Sequence, residues 1–364
     1  MQKFTIVLVF IVFVSSCSKK QSGKNVSFEP ELTIGANTKI PNGWFNELTS
    51  FSVSSDGRIY CLDGQARKVK VFENSGVPLF SFGKQGKGPG EFLYPTDIAY
   101  STKGYVYIMD KGKRNISQFS KEGVFISSVN FKDFLIKFKV FKSGNLVIEK
   151  AKIDRKDLKQ SQYVLDLIDG QLNKIKSSIY EISGLRNLAW VQASKGNRVF
   201  TITLPFSPAM KWTIIGDRLY VGSTATFKLT VLDTNGNRVG EIGKDIEREK
   251  VSRADKNKWI NETLERYSSR PDFSADILSK NLKELILPKL KPAFTQLAET
   301  KKGLGVFLNP KENGIPCILY DKDYKEISQV RFDFDDFEYF NGKYYRITGG
   351  IEEPYTLIRY RLAE

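Results

Sequence analysis

A tight turn followed by a short alternating apolar run recurs six times along this chain, and that repetition limits what it can fold into more than any other feature. The copies are SDGRIYCLD around Gly57, TKGYVYIMD around Gly104, KSGNLVIEK around Gly144, IGDRLYVGS around Gly216, KKGLGVFLN around Gly303 and FNGKYYRIT around Gly342. Each glycine supplies the positive φ that a tight hairpin needs, and each run alternates as a half-buried strand does. A second hairpin follows in most units, with third strands such as KVKVF, KLTVL and CILY and fourth strands such as PLFSF, RVGEIG and EISQVRF. Four strands per unit, regularly repeated, describe the blades of an all-β, six-bladed β-propeller.

The sixth unit runs out of chain after its third strand, TLIRYRL. Glu31 to Gly35 (ELTIG) matches the fourth-strand pattern of LFSFG and VGEIG, so the N-terminal strand is expected to close the ring and remove its open edges. The propeller then occupies residues 28–364. Spacing between the repeat glycines is about 47 and 40, then about 72 and 87, then about 39 residues, so two insertions fall in the second half. One, about Gly184 to Met210, reads as strands and turns. The other, about 247–292, changes to helical period through Trp259, Leu264, Tyr267, Leu278, Leu282 and Leu285, with Ser252 and Asp272 as expected N-caps. It predicts a helical hairpin between blades four and five.

Ahead of the repeats stands MQKFTIVLVFIVFVSSC. Its apolar run from Phe4 to Val14 is too short to cross a bilayer and reads as the core of a signal peptide spanning residues 1–16. Val14-Ser15-Ser16-Cys17 resembles the bacterial lipobox, which implies cleavage before Cys17 and lipidation of that residue. Residues 17–27 would be a lipidated tether, placing the protein in the cell envelope on a periplasmic or outer-membrane face, held to the membrane through Cys17. Cys61 and Cys317 sit in apolar runs on blades that are not neighbours and are expected as buried free thiols.

From Gly83 to Gly123 the chain reads GKQGKGPGEFLYPTDIAYSTKGYVYIMDKGKRNISQFSKEG, which resembles the NHL repeat at Gly86, Gly88, Pro89, Gly90, Phe92, Pro95, Ile98, Gly104, Asp110, Arg114, Asn115, Ile116 and Phe119. With the lipobox and the helical insertion, the chain is similar to bacterial six-bladed propeller lipoproteins. That resemblance implies a fold and leaves function open.

Composition narrows the chemistry. There is no histidine, which excludes imidazole bases, Ser-His couples and His-ligated zinc, including the zinc lyases of the repeat family. The formal net charge of +15 favours anionic partners. Propeller loops joining strands two to three, and fourth strands to the next blade, share one face. Here they bring Arg67, Lys68, Lys84, Lys87, Lys111, Lys113 and Arg114 together around blades one and two. The first expectation is a non-catalytic binding or scaffolding module, a monomer without cofactor, whose basic face, partly covered by the helical insertion, takes an anionic glycan, headgroup or protein segment. The alternative is a Ca²⁺-dependent hydrolase or lactonase using Asp63, Asp97 and Asp110 near inner-strand ends, since hard oxygen ligands need no histidine. An exported protein is not expected to meet nucleic acid.

Overall fold

The computed structural model describes residues 24–36, 43–154, 161–183, 188–192, 199–268, 274–350 and 353–363. Cys17 and the signal segment lie outside the described residues. Two short strands come first, β1 (Lys24–Val26) and β2 (Phe28–Ile34). Six antiparallel blades follow: blade one (β3–β6, residues 48–82), blade two (β7–β10, 95–130), blade three (β11–β14, 134–183), blade four (β17–β20, 210–243), blade five (β21–β24, 296–332) and blade six (β25–β27, 338–362). The glycines that announced the repeat, Gly57, Gly104, Gly144, Gly216, Gly303 and Gly342, all lie at positive φ between +58° and +119°.

The second strands show why the ring forms. Ile59–Asp63 in blade one is buried at every residue, because a blade is covered on both faces by its neighbours. Alternation then decides which neighbour each side chain meets. Ile59 and Cys61 join Tyr345 and Leu357 of blade six, whereas Tyr60 and Leu62 join Val106 and Ile108 of blade two. The same logic gives one apolar cluster between each successive pair of blades around the ring. Cys61 and Cys317 are free thiols inside two of these clusters.

Closure is by the N-terminal strand, as expected: β2 pairs antiparallel with the third strand of blade six, from Phe28 opposite Leu362 to Ile34 opposite Leu357. Glu31 bridges Lys343 at 2.8 Å and Arg359 at 2.7 Å across this seam. Phe28 enters a nest of rings, stacked on Phe334 at 4.6 Å and edge-on to Tyr344 at 5.0 Å. β1 falls within residues 17–27, the stretch expected as a tether. β1 adds a parallel fifth strand to blade five, with Lys24 opposite Val330, because the outer strand there still offers unpaired backbone groups.

Both insertions form as expected and then do something their sequences do not announce. The first is a hairpin of β15 (Leu188–Gln192) and β16 (Val199–Thr203); the second holds α1 (Arg253–Tyr267) and α2 (Ala275–Glu284). Val191 and Ile202 of the hairpin share a core with Ile260, Leu278 and Leu282 of the helices, so the two insertions make one subdomain. Ser252 caps α1 through a reciprocal pair of hydrogen bonds with Asp255. Asp272, expected to cap α2, lies outside the described residues; the cap position is Ser274, whose side chain makes no capping bond. Blade four anchors both stems: Ala209 N–H donates to Thr224 Oγ1, Ala293 N–H donates to Thr224 O, and Arg248 donates to Ala225 O and Lys291 O. Among the described residues, no helix is long and apolar enough to cross a membrane.

Candidate functional site

The residues that the repeat pattern singled out are the rivets of blades one and two. Asp63 is fully buried and accepts backbone N–H groups from Asn46, Glu47 and Ala66, with the Lys70 ammonium 3.0 Å away. Asp110, its equivalent in blade two, accepts from Leu93, Tyr94 and Lys113. Each carboxylate thus fastens its own turn to the connection entering its blade. Arg67 and Arg114 occupy matching left-handed positions, with φ of 55° and 53°. Each reaches the next connection, donating to Leu93 O and Lys132 O respectively. Asp97 accepts from Ser50 Oγ of blade one and from Phe138 N–H of blade three, tying three first strands together. Burial pushes its carboxyl upward, against those hydrogen bonds.

The three aspartates therefore do not converge as a metal set, and among the described residues no group of three or more Cys, Asp or Glu side chains does. The basic face is likewise altered by its hydrogen bonds. Lys113 donates to Gly88 O and Glu91 O, and Lys84 pairs with Glu91 at 3.2 Å. Lys68, Lys87 and Lys111 remain exposed. The helices pack on each other and on β15, next to blade four, rather than as a cover for blades one and two.

A cavity of about 680 Å³ lies at the centre of the ring, lined by first-strand residues of all six blades. Asp97 of blade two and Lys142, just after the first strand of blade three, lie on its wall, and its other charges come from the blades where the repeat signature is weakest. Blade three contributes Lys137 and Lys139, blade four Lys211, blade five Glu299 and blade six Glu338. Lys139 reaches across the ring to Glu338 at 2.9 Å. Lys137 lies over the Trp212 ring, 4.6 Å from its centroid, and among the described residues its only hydrogen bond is a 3.5 Å contact to Trp212 O. Trp212 in turn donates its indole N–H to the buried Glu149 at 2.7 Å.

Electrostatics here follow from burial. Desolvation pulls the Lys137 ammonium down to about 8; Glu149 opposes this, and Lys139 and Lys211 add to it. Burial also lifts Glu299 to about 7, with Lys139 pulling back and Glu338 pushing further. Among the described residues neither Lys137 nor Lys211 has an ion pair. Groups shifted this way inside a cavity mark a candidate site. None was singled out in the sequence, although lysines inside the apolar first strands FLIKFKV and MKWTII were the visible signal.

Residues 52–228, from blade one into blade four, match the family model described as a 6-bladed beta-propeller, DUF5128. Among similar solved structures is a candidate exported protein of Bacteroides fragilis NCTC 9343, at 12% identity over 93% of this chain and 95% of that one, with a TM-score of 0.54. Another is a member of the duf4221 family from Bacteroides vulgatus ATCC 8482, at 10% identity over 94% and 100%, with a TM-score of 0.52. Identities this low carry the fold alone. No curated protein matches the sequence.

Proposed function

We propose that the chain is a lipid-anchored binding module of the cell envelope that holds an anionic ligand in its central tunnel. The observation that carries this reading is the pair Lys137 and Lys211, two tunnel cations with no ion pair among the described residues. Lys137 is largely desolvated, and a bound anion supplies the counter-charge such a cation lacks. The net charge of +15 favours the same class of ligand. Export rests on the signal segment and lipobox at Cys17, on the similarity to propeller lipoproteins and the NHL-like stretch around Gly88, and on the description of the Bacteroides fragilis structure as a candidate exported protein. The exposed Lys68, Lys87 and Lys111 remain a second landing face for an acidic partner.

The test compares Lys137→Glu with Lys211→Glu, and separately Arg67→Glu with Lys113→Glu and Arg114→Glu, in the full mature chain carrying Cys17→Ser. Calorimetric titration with acetate, inorganic phosphate and polyglutamate is the readout. Tunnel binding predicts loss in the first pair only; loss confined to the rim variants overturns it. Acetate affinity should also fall as pH rises through about 8, where Lys137 loses its proton amid Glu149, Lys139, Lys211 and Glu338. Loss of palmitate incorporation in cells expressing Cys17→Ser tests the anchor.

A further inference from the structure

Apart from Asp97, already hydrogen-bonded to Ser50 and Phe138, and Lys142, the tunnel charges divide into two arcs, and the division specifies more of the ligand than its sign. This step rests on the tunnel reading above. Blades three and four supply the donors Lys137 and Lys211, with no acceptor side chain paired to either among the described residues. Blades five and six supply Gln296, Glu299, Glu338 and Tyr339. One N–H of the Gln296 amide donates to Asp335 O, and its carbonyl oxygen is open to accept. Glu338 is held by Lys139, while Glu299 has no ion pair among the described residues. This second arc is rich in acceptors and repels a second anion.

We infer that the tunnel takes a small organic acid whose carboxylate sits on Lys137 and Lys211 and whose other end presents hydrogen-bond donors to Glu299 and Gln296. A ligand anionic at both ends would set its far charge against Glu299. One apolar at the far end would leave those acceptors desolvated and unpaired. At about 680 Å³ the cavity also exceeds what a bare inorganic anion fills and lies in the range of small-molecule sites. Hydroxyls, as on a sugar acid, and an ammonium, as on an amino acid, both satisfy the acceptor arc.

Four probes separate the possibilities: D-glucuronate carries a carboxylate with hydroxyls, 6-aminohexanoate a carboxylate with an ammonium, hexanoate a carboxylate alone and D-glucose hydroxyls alone. Titrated into the full mature chain with Cys17→Ser, glucuronate or aminohexanoate should bind at least tenfold more tightly than both hexanoate and glucose. Which of the two wins identifies the donor. Lys137→Met and Lys211→Met should each remove that binding, and Glu299→Leu should reduce it to the hexanoate level while leaving hexanoate unchanged. Thermal melts confirm that each variant remains folded. If one variant does not fold, the other two carry the comparison. Equal affinity for hexanoate and glucuronate, lost with both lysine variants, overturns the donor assignment and leaves the anion site standing. Binding of none of the acids, or binding indifferent to both lysines, overturns both.

Discussion

Asp110 illustrates how much of the ring hangs on single carboxylates. Its buried oxygens satisfy three backbone N–H groups, from Leu93 at 2.7 Å and from Tyr94 and Lys113 at 3.0 Å. Removing the carboxylate strands all three, and an unsatisfied buried donor costs about 1–3 kcal/mol. Asp110→Ala should therefore lose about 2–4 kcal/mol in urea unfolding, and Asp110→Asn, which keeps one acceptor, should lose less. Glu299 works in the opposite sense. Unfolded, it releases its proton near 4.5; folded, it holds it to about 7. Between those values the folded chain binds a proton that the unfolded chain lacks, so this group lowers stability as pH rises, and the penalty is complete above 7. Glu299→Gln mimics the protonated form. It should leave the melting temperature unchanged at pH 4 and raise it at pH 8, by about 1–3 kcal/mol of stability.

Elements were easier to read than residues, for a physical reason. Turns and alternating strands are local, and six copies reinforce one another, so each blade, the closing strand and both insertions were legible in the chain. Which aspartate binds metal and which binds backbone is decided by partners far away in sequence, as with Asp63 and Asn46, or Asp97 and Phe138. Turns also hid exceptions: Leu172 and Tyr324 take the left-handed position that Gly76, Gly123 and Gly236 fill in other blades. The closing strand gives the sharpest test at this scale. Phe28 packs among Phe332, Phe334, Phe337, Tyr344 and Tyr360, where the last strand to join the ring meets blades five and six. Phe28→Ala should cost about 3–5 kcal/mol by denaturant unfolding. Hydrogen exchange should then quicken first in the third strand of blade six, β2's partner. A uniform loss across all blades would mean that the ring opens as a whole.

At the scale of the molecule, six inter-blade cores make a ring in which every blade is held from both sides, while the seventh core stands apart. That core is built from Val191, Ile202, Ile260, Leu278 and Leu282, and no blade residue belongs to it. Its links to the ring run through the stems: hydrogen bonds at Thr224 and Arg248 of blade four, and an ion pair of Glu249 with Lys311 and a hydrogen bond from Asn309 to Pro292 O at blade five. Cooperative units follow contiguous cores, so the insertion subdomain should open on its own at lower free energy than the propeller. Leu278 and Leu282 are fully buried at its centre, and Leu→Ala at either removes about 2–5 kcal/mol of packing. Leu278→Ala should therefore unprotect α1, α2 and the β15–β16 hairpin in hydrogen exchange, while the protection of blades one, two and six and the main melting transition stay where they were. A matching drop in blade protection would show that the ring and the subdomain unfold as one. If they are separate, tunnel ligands should bind the Leu278→Ala chain with unchanged affinity, because no described residue of the subdomain lines the tunnel.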